Sequence, residues 1–248
     1  DAPFIHLMAE LNCWRTGFWK GLAAQNRAGR ERFFNGFMIK FLIFLTVTGA
    51  FLLMVLSGLR KGGDALIRNY RALIYFLILG LGYIFVEVTI MHVCTLLMGN
   101  PVYAFSAVLA SLLLSTGLGS LASDRVFRSW IGFRRLSFVA SLLLAGYYFL
   151  VLSMNPRILG LALWVRVLLT AGLIFPLGFV LGMFFPQGIK VVGRGNPDLV
   201  PFVWGINGYM SIIGSALCIT ISPMTGFAFF LLLAAVLYSM ILFFYPRG

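Results

Sequence analysis

Long apolar runs separated by short polar segments dominate the sequence. Seven such runs follow residue 35, and each is near the roughly 20 residues that a helix needs to cross the bilayer core. The runs predict spans at 36–59, 72–97, 102–122, 136–154, 158–184, 202–222 and 225–245. Three connections hold only two or three residues and predict tight helical hairpins: Gly99-Asn100-Pro101, Asn155-Pro156-Arg157 and Pro223-Met224.

The leading segment has a different pattern, because it is too polar to span. Its apolar residues recur every three to four positions and predict one face of a helix: Leu7, Leu11, Trp14, Phe18 and Leu22. Basic and Trp side chains nearby favour an amphipathic helix in the headgroup plane, with an ordinary connector helix as the alternative. The sequence thus predicts an interfacial segment with its linker at 1–34 and a seven-helix transmembrane domain at 35–248.

The composition supports this interpretation. Hydrophobic residues make up 61% of the 248 residues and charged residues only 10%, against about 25% charge in an ordinary soluble domain. The predicted fold class is therefore all-α, a polytopic transmembrane helix bundle. The net charge of +12 would suggest nucleic acid in a soluble protein, but here the basic residues cluster between apolar runs. We expect the lipid bilayer as the partner of these cations, and no nucleic acid.

The basic residues also predict the orientation of the helices. One side carries eleven of them, in segments 60–71, 123–135 and 185–201 and in the tail, and the other side carries six. Since basic loops face the cytoplasm, the tight hairpins are expected outside. The count is clear for the last six helices and contradictory for the first, because five of the six belong to the leading segment.

Four ionisable side chains fall within predicted spans: Lys40, Glu87, His92 and Arg166. Each is costly in lipid and needs a partner or a wet cavity. Depths counted along the spans put all four in the half away from the basic side, which predicts a polar cluster with Glu87 paired to Arg166 and Lys40 as a lesser candidate. Such a cluster is either a proton, cation or anionic-substrate site or a buried pair that fixes helix register.

Two spans carry unusual small-residue patterns. In the third, small residues repeat every four positions and predict a face for close helix packing: Ala107, Ser111, Ser115, Gly119 and Ser123. In the fifth, Pro176 lies among glycines and Pro186 closes the run, so a kink is expected there. Kinked helices can build transporter sites, although a passive kink is commoner.

No motif for soluble catalysis occurs in the chain. Walker, serine-elbow and HExxH patterns are absent, and Gly80-Leu81-Gly82 lies inside an apolar run where it cannot present amides to a phosphate. The cysteines, Cys13, Cys94 and Cys218, have no paired spacing, which argues against a zinc site or a disulfide framework. We therefore expect no catalytic residue, no cofactor and no metal ligand in this chain.

Four blocks of sequence nevertheless resemble one family. They are YFLILGLGYIFVE from Tyr75, GNPVYAFSAVLASLLLSTGLGS from Gly99, GFVLGMFFPQG from Gly178 and WGINGYMSIIG from Trp204. Together they resemble the membrane region of bacterial spermidine synthase-like proteins. In that family a polyamine aminopropyltransferase-like domain is joined to multi-helix membrane segments, and its soluble part tends to end in a motif similar to the first four residues here.

The resemblance implies an integral membrane module of the bacterial inner membrane that anchors or partners an aminopropyltransferase-like domain preceding residue 1. Glu87 and Asn207 match polar positions of the family's membrane motifs. Two alternatives stay open. One is a small-solute or cation transporter, since GSLASDRVFR from Gly119 loosely resembles a loop motif of major facilitator carriers. The other is a non-catalytic subunit of a larger membrane complex.

Overall fold

The structure, a computed structural model, describes residues 48–49, 69–126, 130–152 and 160–245. Within these residues the chain forms helices joined by short turns and contains no strand, which confirms the predicted all-α class. Seven helices are described and are numbered here in chain order: α1 Tyr70–Met98, α2 Pro101–Val126, α3 Trp130–Leu152, α4 Leu163–Leu181, α5 Phe184–Gly195, α6 Val200–Thr225 and α7 Ala228–Phe244. A short 3-10 helix, Pro197–Leu199, joins α5 to α6.

Five segments of the described chain are long and apolar enough to cross a membrane: Tyr70–Met98, Pro101–Arg125, Gly132–Val151, Leu163–Gly195 and Pro197–Ser222. The apolar helix α7 is shorter. The five segments and α7 correspond to six of the seven predicted spans, and the five long segments are those of a multi-pass membrane protein. Apart from residues 48–49, which are helical, the first predicted span lies outside the described residues, as does the predicted interfacial helix.

The chain divides into two compact units. One comprises 1–68 with 219–226, and the other comprises 69–218 with 227–248. In the first unit the structure describes residues 48–49 and the end of α6, where the amide of Gly226 donates a 2.9 Å hydrogen bond to the carbonyl of Ser222. The second unit holds the other helices and all the side-chain interactions considered below.

Helix α1 is the central helix of the second unit. It is apolar around its whole circumference, as is typical of a helix surrounded by others. It packs against α2, α4, α5 and α7, and aromatic side chains such as Tyr75 and Phe76 along it are fully buried. Helix α1 is therefore the one around which these four helices pack.

The hairpin between α1 and α2 follows from its three residues. Gly99 has a left-handed backbone with φ 68° and donates to the carbonyl of Thr95, which ends α1. Asn100 caps α2, because its side-chain oxygen accepts from the amide of Val102 at 2.9 Å. Pro101 occupies the first helical position, where no amide hydrogen is needed.

The hairpin predicted at Pro223-Met224 does not fall at these two residues. Helix α6 continues through Pro223 and Met224 to Thr225, so these residues are not the turn. Helix α6 ends before Gly226, whose φ of 83° is the left-handed conformation that ends helices. The hairpin predicted at 155–157 lies outside the described residues.

The segment after the fifth predicted span was wrongly expected to be a connection. Residues 184–195 form α5, and α4 gives way to α5 at Gly182 and Met183. Pro176 lies inside α4, whereas Pro186 lies in the first turn of α5, where proline is tolerated, and so does not end the helix. The interruption therefore falls six residues after Pro176.

Candidate functional site

Contacts between helix ends show which termini share one side of the bundle. The hydroxyl of Tyr75, near the start of α1, donates to the carbonyl of Phe184 at the start of α5, and Phe133, near the start of α3, packs against the ring of Phe184. Gln187 of α5 reaches Ser123 near the end of α2. This end, called the basic end below, carries most of the described cations: Arg71, Arg125, Arg134, Arg135, Lys190 and Arg194.

A polar network joins α2 to α5 at the basic end. The amide of Gln187, only 7% exposed, donates to Ser123 Oγ at 3.1 Å and to Asp124 Oδ1 at 2.8 Å. Lys190 forms an ion pair with the same carboxylate oxygen at 2.5 Å. This is the one ion pair within 4.0 Å in the part of the chain that the structure describes.

Sequence reasoning missed the role of Gln187. Its signal is the helical period of 184–195, in which Phe184, Gln187, Gly188 and Val192 are buried while Lys190 is exposed. A search for apolar runs passes over such a short amphipathic helix.

Aromatic side chains fill the basic end beneath this network. Tyr75 contacts Tyr245 with ring centroids 5.9 Å apart, and Phe184 contacts Tyr238 at 5.3 Å. Tyr75 and Tyr238 are both fully buried. Burial raises the pKa of Tyr245, just beyond the end of α7, and the nearby Arg194 partly offsets the rise.

The predicted small-residue face of α2 lies partly against α4. Ser115, Gly119 and Ser123 are buried, and Ala107 and Ser111 are half-buried. A Cβ atom at Gly119 would collide with the carbonyl of Phe179. On α4 and just after it, a Cβ at Gly178 would meet Ser115, and one at Gly182 would meet the backbone of Thr116. The two backbones approach closely because these positions lack larger side chains.

Arg166 is placed at the end of α1, away from Glu87. Its Nη1 donates to the carbonyl of Leu97 at 2.7 Å. Leu97 is ten residues beyond Glu87, which is about 15 Å along the helix. In the described residues Arg166 therefore bonds to the end of α1 and forms no ion pair with Glu87.

The cause lies in the start of α4. The span was expected to begin at 158, which would place Arg166 eight residues deep, but α4 begins at Leu163 and Arg166 is in its first turn. The depth calculation therefore placed this cation about 7 Å too far into the bundle.

Glu87 is a half-buried carboxyl near the middle of the central helix. The midpoint of α1 is residue 84, so Glu87 is about 4.5 Å from it along the axis. Tyr83 lies one turn earlier on the same face and near both Glu87 and Thr116. A carboxyl at this depth is costly as an isolated charge, which makes it the strongest candidate for a functional group in the described bundle.

The predicted polar cluster has two further members, His92 and Lys40. The imidazole of His92 stacks on Phe227 with ring centroids 3.7 Å apart and an interplanar angle of 22°. Lys40 lies outside the described residues.

The described polar groups can bind ligands and exchange protons. Within the described ranges, no group of three or more His, Cys, Asp or Glu side chains is placed to hold a metal ion. Glu87 and the tyrosine hydroxyls exchange protons, while the Gln187 network fixes two helices together. No protein-family model, no curated protein and no solved structure matches the chain.

Proposed function

We propose that this chain is the integral membrane module of a spermidine synthase-like protein of the bacterial inner membrane, which anchors or partners an aminopropyltransferase-like domain. One observation carries the proposal: the sequence blocks that resemble this family coincide with the closest helix contacts of the bundle. Blocks that specify contacts between distant helices are expected to persist together in a family that shares the fold.

The contacts between α1 and α6 illustrate the coincidence. A Cβ at Gly80 would collide with the carbonyl of Asn207. Asn207 itself donates to the carbonyl of Phe76 at 3.3 Å, and Ser211 donates to the carbonyl of Gly80 at 3.3 Å. Two of the four blocks thus meet each other in space, although about 130 residues separate them.

The other two blocks meet in the same way. Gly119 and Gly182 bring α2 against the end of α4. The third block also reaches the first, because a Cβ at Gly188 would lie 2.5 Å from the ring of Tyr75. All four blocks therefore carry residues whose small size or hydrogen bonds hold the helices together, as a membrane anchor requires.

The basic end is the side from which we expect the partner domain to act. It carries Arg134 and Arg135 in exposed positions and, by the positive-inside rule, faces the cytoplasm, where an aminopropyl transfer would take place. We assign the chemistry of that transfer to the partner domain, as the resemblance implies.

The intact mass of the native polypeptide in membranes tests the proposal. An excess of roughly 20 kDa or more over the 27.5 kDa of this chain, with the extra mass giving peptides of a Rossmann-type domain, is the expected result. A native mass of 27.5 kDa without a copurifying transferase would overturn it. Purified full-length protein is then assayed for transfer of an aminopropyl group to a diamine.

A transporter is the second candidate, favoured by Glu87 near the middle of α1 and by the interruption between α4 and α5. Uptake of labelled spermidine by proteoliposomes, lost in Glu87→Gln, would favour it. Copurification with another chain at fixed stoichiometry, without transport or transfer, would instead favour a subunit of a larger complex.

A further inference from the structure

Four tyrosines form a line that leads from the basic end towards Glu87 through ring contacts and electrostatic proximity. Tyr245 is half-buried at the end of α7 and lies against the ring of Tyr75. Tyr75 donates to the carbonyl of Phe184, and the ring of Phe184 contacts Tyr238. The line thus crosses from the surface of the bundle to fully buried hydroxyls on two helices.

The line continues along α1. Tyr238 packs against Gly82, where an added Cβ would lie 2.9 Å from its Cε2 atom, and Tyr83 is the next residue. Tyr83 lies one helical turn before Glu87. A side chain at position 82 would push Tyr238 away, so this glycine permits the close approach of α7 to α1. Tyr238 is also near enough to Tyr83 for the two to interact electrostatically.

The hydroxyl of Tyr238 is the informative group in this line. Its side chain is 0% exposed, and its oxygen has no hydrogen-bond partner within the described residues. A buried hydroxyl without a partner costs about 1–3 kcal/mol. An ordered water molecule is the usual partner of such a group.

We propose that Glu87 is a proton-binding site of the membrane domain, reached from the basic end through water and the hydroxyls of Tyr245, Tyr75, Tyr238 and Tyr83. This inference is independent of the proposed function, because it concerns the ion that the membrane domain binds. It applies whether or not a transferase domain is attached.

The transfer needs no oxidant or reductant. A hydronium ion at the basic end gives a proton to the first hydroxyl or water, each member passes its own proton to the next acceptor, and the last proton bonds to a carboxylate oxygen of Glu87. One O–H bond forms for each that breaks, so every relay member ends neutral and the net change is one proton on Glu87. Release runs through the same steps in reverse.

Other ionisable groups lie on the described helices around the line. On α1 and the helices packed against it, they lie towards the two ends or on α6: Tyr70, Arg71, His92, Cys94, Tyr103, Asp124, Arg125, Arg166, Lys190, Arg194, Tyr209 and Cys218. Arg166 is engaged by Leu97 and Lys190 by Asp124. Lys40 lies outside the described residues, and the experiment addresses it because the sequence makes it a candidate partner of Glu87.

Infrared difference spectroscopy of the full protein in liposomes tests the proposal. A pH jump is expected to reveal a carboxylic-acid carbonyl band that Glu87→Gln abolishes. On transfer to deuterium oxide, Tyr238→Phe is expected to slow deuteration of this band by roughly tenfold or more. Tyr148→Phe is the matched control, since Tyr148 lies on α3 against Phe149 and outside the line, and it is expected to exchange at the wild-type rate.

Three outcomes overturn the proposal. They are a band that survives Glu87→Gln, an unchanged exchange rate in Tyr238→Phe, and a band missing from the wild type. If the band is missing from the wild type but appears in Lys40→Met, a permanent ion pair between Lys40 and Glu87 explains its absence. Labelling of the wild type with dicyclohexylcarbodiimide, which adds to protonated carboxyls in apolar surroundings, gives a reading that needs no variant: a Glu87 adduct is expected, and its absence also overturns the proposal.

Discussion

Arg166 on α4 donates a 2.7 Å hydrogen bond to the carbonyl of Leu97 in the last turn of α1. The last carbonyls of a helix lack internal partners and carry partial negative charge. The last turn of α1 contains no basic residue. A cation from another helix therefore satisfies the end of the central helix.

This contact predicts that Arg166→Met destabilises the folded protein. The loss is expected to be about 1–3 kcal/mol, the range for a hydrogen bond to a charged group, and Arg166→Lys should recover part of it. Unfolding in mixed detergent micelles, followed by circular dichroism, measures the change. The exposed Arg135→Met serves as the control and should stay within about 0.5 kcal/mol of the wild type. Equal losses in both variants would contradict the capping role.

A double-mutant cycle tests the separation of Arg166 from Glu87. Because Leu97 lies about 15 Å beyond Glu87 along α1, the free-energy changes of Glu87→Gln and Arg166→Leu should add. The interaction energy is expected to be below about 0.5 kcal/mol. A value above about 1 kcal/mol would show that the two side chains interact after all.

How far the sequence predicts the fold depends on the strength of each local signal. The hairpin at Gly99 was predictable because glycine, asparagine and proline each occupy a position that suits only a few residue types. The depth of Arg166 could not be predicted, because no capping residue marks the start of α4. An error of five residues there moved one charge by more than a helical turn.

The candidate site divides in the same way. Glu87 was predictable as an intramembrane acid, because an ionisable residue in an apolar run is conspicuous. Gln187 was not, because it is uncharged and lies in a segment that looks like a connection. The contact of Tyr238 with Gly82 joins residues 156 positions apart, and no periodicity within one helix encodes it.

The close approach of α2 and α4 predicts opposite effects for two glycines of the same helix. Gly119→Ala should destabilise the protein by about 1–3 kcal/mol, because the new Cβ would overlap the carbonyl of Phe179. At Gly117 a Cβ meets nothing within 4 Å, so Gly117→Ala should stabilise by up to about 1 kcal/mol through helix propensity alone. Unfolding of both variants under the same conditions makes the comparison. A loss at position 117 as large as that at 119 would contradict this packing.

The network at the basic end predicts a ranking of two variants. Gln187→Met should cost about 1–2 kcal/mol, because the buried amide satisfies both Ser123 and Asp124. Lys190→Met should cost less than about 1 kcal/mol, since the side chains of this ion pair are 43% and 66% exposed. Raising the salt concentration should weaken only the contribution of Lys190. The reverse ranking would show that the ion pair, and not the amide, joins α2 to α5.

The distribution of cations predicts which side of the membrane each end of the bundle faces. In a background without the three native cysteines, Val102→Cys at the start of α2 should react with a membrane-impermeant maleimide in intact cells. Arg135→Cys at the basic end should react only in inverted vesicles. Both side chains are exposed, so accessibility within the protein does not limit either reaction. Leu113→Cys is the control: the side chain is 67% exposed but lies near the middle of α2, where lipid should protect it on both sides. Labelling of Arg135→Cys in intact cells would show that the orientation is the opposite one, with the start of the tyrosine line at the outer surface.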